Sequence, residues 1–129
     1  MNNFFYWNKS NLDDNWHVGK FHAHSLGVNS VSWAPSKDHL RFVSCGSDNL
    51  IKIWKIKENN LGYDIDSIYP ESTLDAHEDV VRYVSWRPTK NSNYEVIASG
   101  GDVIKILNKI FCKKKISLFI NEDFYKLLN

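Results

Sequence analysis

Hydrophobic and polar positions alternate along this chain in short runs. In Val28-Asn29-Ser30-Val31-Ser32-Trp33 two interleaved sets of alternate residues can face opposite ways, which is the period of a strand. Ile51-Lys52-Ile53-Trp54 is a β-branched and aromatic run that follows a turn signal at Asp48-Asn49. Pro35 and Pro88 each stop such a run, because proline has no N–H to give to a strand ladder. No stretch before the tail at 108–129 carries a helical stripe. The pattern predicts an all-β chain.

The runs recur. Ala23-His24-Ser25-Leu26-Gly27-Val28-Asn29-Ser30-Val31-Ser32-Trp33-Ala34-Pro35 is matched by Ala76-His77-Glu78-Asp79-Val80-Val81-Arg82-Tyr83-Val84-Ser85-Trp86-Arg87-Pro88, with an offset of 53 residues. Each copy is followed by a second match. Phe42-Val43-Ser44-Cys45-Gly46-Ser47-Asp48 is set against Val96-Ile97-Ala98-Ser99-Gly100-Gly101-Asp102, and Ile51-Lys52-Ile53-Trp54 against Ile104-Lys105-Ile106-Leu107. Each copy reads as a His-containing loop, two strands, an Asp-containing tight turn and a further strand. This order and period resemble the blades of a WD-repeat β-propeller. The resemblance implies a hydrogen-bonded chain from Trp54 to Ser44, from Ser44 to His24 and from His24 to Asp48. A second chain is expected at His77, Ser99 and Asp102. A buried His and Asp are costly unless each polar atom has a partner, so a closed network is what such a site needs.

Composition changes the picture only at the end of the chain. The 129 residues carry a net charge of +1, too little for a dedicated nucleic-acid surface. Residues 1–102 hold ten basic and thirteen acidic side chains, and residues 103–129 hold six and two. No run of about 18 apolar residues occurs, and the first residues do not read as a signal peptide. Cys45 and Cys112 stand far apart with no CxxC, which fits reduced thiols in a cytosolic or nuclear chain. His24 with Asp48 also has the makings of a catalytic pair, but the repeat gives both a structural role and no serine-nucleophile motif is present. A zinc site from His17, His22 and His24 lacks a further ligand at a recognised spacing. No catalytic residue, cofactor or metal is expected. Trp33, Trp54 and Trp86 are expected to pack within or between blades rather than to stack on bases.

The wording of residues 24–35, 47–55 and 74–88, in this order, closely resembles the small WD-repeat subunit of the COPII outer coat, the Sec-thirteen type, over roughly residues 4–107 and its fourth and fifth repeats. That resemblance implies an open propeller that acts as a rigid scaffold. Its partners are the large outer-coat subunit and an outer-ring nucleoporin, on the cytoplasmic side of the endoplasmic reticulum and COPII vesicles and at the nuclear pore. Membrane contact is indirect, through the coat. A generic WD-repeat adaptor, in signalling or as a ubiquitin-ligase substrate receptor, shares the His/Asp/Trp pattern but not the longer strings.

The expected organisation is 1–22 as outer strands of a preceding blade, 23–68 as one WD repeat, 69–107 as a second, incomplete one, and 108–129 as a basic tail outside the family pattern. The second repeat departs from the first. Asp48 to Trp54 is six positions and Asp102 to Leu107 is five, and Leu107 replaces the tryptophan. The Lys-, Ile- and Phe-rich tail reads as a truncation product without selected function, or as a C-terminal helix with Phe119, Phe124, Leu127 and Leu128 on one face. Two blades alone leave sheet faces and strand edges open, which predicts marginal stability and association.

Overall fold

The computed structural model describes residues 3–9, 14–35, 40–59, 62–75, 77–88, 94–101, 104–112 and 115–120. Every regular element among them is a strand. In chain order these are β1 (Asn3–Lys9), β2 (Trp16–His22), β3 (Val28–Trp33), β4 (Arg41–Gly46), β5 (Ile51–Asn59), β6 (Gly62–Leu74), β7 (Val81–Trp86), β8 (Tyr94–Gly101), β9 (Ile104–Cys112) and β10 (Lys115–Ile120). They form three antiparallel sheets. β1–β2 is a two-stranded half-blade, β3-β4-β5-β6 is a first full blade, and β7-β8-β9-β10 is a second. Each full blade is a meander in which chain neighbours pair, the arrangement of a partial β-propeller.

An outer hairpin, β5–β6, joins the repeats and is closed by the pair Asn59 and Gly62. β6 runs through position 68 and β9 through position 107, where repeat boundaries were expected. Phe119 lies in β10, which pairs with β9, and not in a helix. Phe124, Leu127 and Leu128 lie outside the described residues.

β4 explains how the blades stack. All six of its residues, Arg-Phe-Val-Ser-Cys-Gly, are buried, so both of its faces are covered. Val43 and Cys45 join Ile51, Ile53 and Leu74 in a core shared with Val81, Val84, Trp86 and Ile97 of the second blade. Phe42 points the other way and joins Trp54 and Ile56 in a second core, against which Phe4 and Phe21 of the half-blade pack. Phe4 stacks on Phe42 at 4.9 Å, and Phe21 meets Trp54 edge-on at 5.0 Å. The alternation of one strand therefore divides its side chains between two blade-to-blade cores.

The strand registers correct one alignment read from the sequence. Val31 pairs with Ser44, and its counterpart Val84 pairs with Ser99. Ser99, not Ala98, therefore stands in the place of Ser44, and Ile97 stands in the place of Phe42. The string comparison was one residue out because the chain between Trp86 and Ile97 is longer than that between Trp33 and Phe42.

Candidate functional site

The His-containing loop and the Asp-containing turn converge at one end of the first blade. The turn Gly46–Leu50 is set by three features. Gly46 N–H donates to the Leu50 carbonyl at 3.2 Å, and Ser47 N–H donates to the Gly27 carbonyl at 2.8 Å. Asn49 takes φ 67°, a left-handed conformation that asparagine tolerates better than most residues. Asp48 then accepts from Leu50 N–H at 3.2 Å, closing an Asx turn, and from Ser25 N–H at 3.1 Å. Gly46 is required sterically, since a Cβ there would sit 2.7 Å from the His24 ring.

The expected network in this blade is complete. Trp54 Nε1–H donates to Ser44 Oγ at 2.8 Å, Ser44 Oγ lies 2.8 Å from His24 Nε2, and His24 Nδ1 lies 2.8 Å from Asp48 Oδ1. One protonation pattern satisfies every group. Trp54 gives its proton to Ser44, the Ser44 hydroxyl gives its own to His24 Nε2, and His24 Nδ1–H gives to the carboxylate. The imidazole is therefore neutral. Burial holds His24 below its ordinary 6.5, against the pull of the Asp48 carboxylate in the other direction. Burial would raise Asp48, but the hydrogen bond from His24 and the two backbone N–H donors outweigh it and hold the carboxyl below 3.8.

In the second blade His77 Nε2 lies 2.7 Å from Ser99 Oγ, and both residues are buried. Asp102 lies outside the described residues. His17 and His22 are exposed on β2 whereas His24 is fully buried, so the three do not converge, and no group of three ligating side chains occurs among the described residues. Cys45 is a free, fully buried thiol that burial pushes up to about 11, and it is inert at neutral pH. The His24 ring is fully enclosed and hydrogen-bonded through both nitrogens, so it offers no lone pair to a substrate. The network does the work of a clamp: it ties the loop before β3 to the turn after β4 and to β5.

The sequence did not indicate what joins the blades. Arg41 on β4 lies over the Trp86 ring at 5.3 Å, and its guanidinium donates to Glu71 of its own blade at 3.4 Å and to Glu95 of the second blade. Asn29 Nδ2 donates to the Val81 carbonyl at 2.8 Å, and Ser32 Oγ accepts from Trp86 N–H at 3.0 Å. Ser32 and Trp86 stand in the repeated Ser-Trp string, but Arg41 and Asn29 have no like residue in the other copy. Arg41 and Glu95 are 54 positions apart and sit in unlike strings. The expectation for the tryptophans holds for Trp54 and Trp86, which are 5% and 4% exposed, but Trp33 is 54% exposed. Trp33 touches Phe42 edge-on at 5.4 Å, and nothing among the described residues covers its outer face.

Comparison with known proteins follows this geometry. Residues 15–55, which run from β2 to β5 and contain the whole network, match the family described as WD domain, G-beta repeat. The protein transport protein SEC13 of Lodderomyces elongisporus is 46% identical over 85 residues, covering 54% of this chain and 26% of that protein. Over this span the chain is Sec13-like. The sec13 proteins of Aspergillus clavatus and Neurospora crassa are 37% and 40% identical, covering 73% and 67% of this chain and 35% and 32% of theirs. The chain thus spans about a third or less of the length of the Sec13 relatives it matches.

Proposed function

We propose that this chain supplies blades to a protein-transport scaffold of the Sec13 kind, binding other proteins and performing no chemistry. The observation that carries this reading is the closed Trp54–Ser44–His24–Asp48 network. His24 and Asp48, which have the makings of a catalytic pair, are spent on holding the blade together. Relatives that are named protein transport proteins and span the same blades support the transport role. In its finer form the proposal is a COPII outer-coat scaffold on the cytoplasmic side of the endoplasmic reticulum, with the large outer-coat subunit as partner. A second place is in the outer ring of the nuclear pore, beside a nucleoporin. Contact with membrane is through the coat, and near-zero net charge argues against nucleic acid as a partner.

The experiment is affinity purification of the endogenous protein with identification of what accompanies it. Recovery of the large outer-coat subunit supports the coat reading, and recovery of outer-ring nucleoporins supports the pore reading. Recovery of ubiquitin-ligase or signalling components in their place would move the chain to the generic adaptor class. Recovery of none of these would withdraw the scaffold role from it.

A further inference from the structure

Each full blade carries its clamp histidine on the loop that leads into its first strand, and the first blade reaches both loops. Within that blade the loop 24–27 and the turn 46–50 form one unit. Asp48 accepts from His24 Nδ1–H and from Ser25 N–H, and Ser47 N–H donates to the Gly27 carbonyl. A shift of the turn therefore carries the loop with it. In the second blade the loop 77–81 is pinned by its own sheet at His77, through Ser99 Oγ, and at Val80. The Val80 carbonyl lies so close over Gly101 that a side chain there would strike it.

The unit of the first blade holds this second loop from the other side. Asn49, the residue of the turn in the left-handed conformation, donates through Nδ2 to the Glu78 carbonyl at 3.3 Å. Asn29, on β3, donates through Nδ2 to Ser47 Oγ at 3.2 Å and to the Val81 carbonyl at 2.8 Å. A carbonyl only accepts, so the amide must turn its NH2 toward Val81, and its two N–H groups are divided between the turn and the second blade. The two ties bracket the link 78–80 between His77 and β7. Val81 is fully buried in the core shared by the blades, which fixes the far end of that link. Arg82 stands at the place of Asn29 in the second copy, so the arrangement belongs to this junction and is not repeated by the next blade.

We infer that the two histidine clamps are coupled, with the Asp48 turn as the moving part and Asn29 and Asn49 as the links. When the bond between His24 and Asp48 breaks, the turn loses the side chain that fixes it. Ser47 and Asn49 then shift together, and both ties to the second loop lengthen. That loop is left to the hold of its own sheet, and the bond from His77 to Ser99 weakens. Coupling between two sites is reciprocal, so opening the second clamp loosens the first by the same free energy. The point of entry is the tip of the first loop, where Leu26 is 55% exposed. A protein that grips this tip is felt in the second blade. The scaffold then transmits what it holds from blade to blade, whichever partner supplies the grip.

Amide hydrogen exchange of the full chain, read residue by residue, tests this. Asp48→Asn keeps the size of the side chain and weakens its bond to His24. Exchange over residues 78–81 and β7 should become about fivefold faster, the worth of one hydrogen bond. Trp54→Phe strips one donor from the same clamp and is the gentler opening, and it should speed the same amides about twofold. Asn29→Ala with Asn49→Gly cuts both links and keeps the left-handed turn, which glycine adopts freely. In that background Asp48→Asn should leave the second blade unchanged. In the native background His77→Gln should speed exchange at Ser47 and Leu50. Ile56→Val trims the other core without touching the turn and should leave residues 78–81 and β7 unchanged. Acceleration confined to the first blade in both Asp48→Asn and Trp54→Phe overturns the inference. So does acceleration that persists with both links cut. An Ile56→Val variant that speeds the second blade as much as Asp48→Asn also overturns it, since opening of the whole chain then accounts for the effect.

Discussion

At the scale of single residues, the network of the first blade is where the sequence spoke most clearly. His24, Ser44, Asp48 and Trp54 were legible because their chemistry is unusual for buried positions and their spacing recurs. What the sequence could not give was the proton arrangement, which follows from distances at both ring nitrogens. Trp54→Phe removes one donor and leaves the rest in place, so it should cost about 1 kcal/mol, read as a lower urea midpoint with an unchanged slope. The acid dependence has a definite sign. Burial depresses His24 below 6.5, so the unfolded chain takes a proton more readily than the folded one. Its contribution to stability is whole above pH 6.5 and is lost as the pH falls below that toward the folded value. Asp48 is also depressed, so its own contribution survives down to about its ordinary 3.8 and is lost beneath it. Urea midpoints measured across this range should show both steps in the native chain and only the lower one in a His24→Gln variant. The buried Cys45, raised to about 11, gives a third readout. With Cys112 changed to serine, iodoacetamide should label the chain only on unfolding. Rapid labelling of the folded chain near neutral pH would contradict the burial described for this thiol.

At the scale of strands, the fold was read from alternation, and that reading had one blind spot. A strand buried on both faces looks like a plain apolar run, and nothing in Arg41-Phe42-Val43-Ser44-Cys45 announces that alternate residues serve two different cores. The same strand carries Arg41, which the sequence left unremarked because a lone arginine reads as surface. In the fold its side chain is 8% exposed and it bridges the blades through Glu95, itself 15% exposed. Removing one partner of such a pair strands the other in a poorly solvated place. Arg41→Ala should therefore cost about 3 kcal/mol, and Arg41→Met combined with Glu95→Met should cost clearly less than the two single changes added together. Thermal melts of the four proteins complete the cycle. Additive losses would show that the pair does not couple the blades.

At the scale of the whole molecule, cohesion is uneven, and this follows from which faces are covered. Among the described residues the first blade has neighbours on both sides, whereas the half-blade and the second blade each have one. Amide hydrogen exchange should therefore be slowest in β4 and β5 and fastest in β1 and β2. Uniform protection would mean that the described chain opens as one unit. The two-bladed character was legible from the repeat, but the polar ties between the blades were not, since Arg41, Glu95 and Asn29 have no like residue at the matching place of the other copy. One detail of the repeat reaches further. From the first blade to the second, Val31 to Val84 is 53 positions, Ser44 to Ser99 is 55, and Lys52 to Lys105 is 53 again. One connection has grown by two residues and the next has shrunk by two. These changes fall in the connections, whose extra or missing length stays outside the ladder, so Val84, Ser99 and Lys105 keep the pairings of Val31, Ser44 and Lys52. A gene encoding such blades can therefore gain or lose codons between adjoining strands and leave the pairs within them untouched.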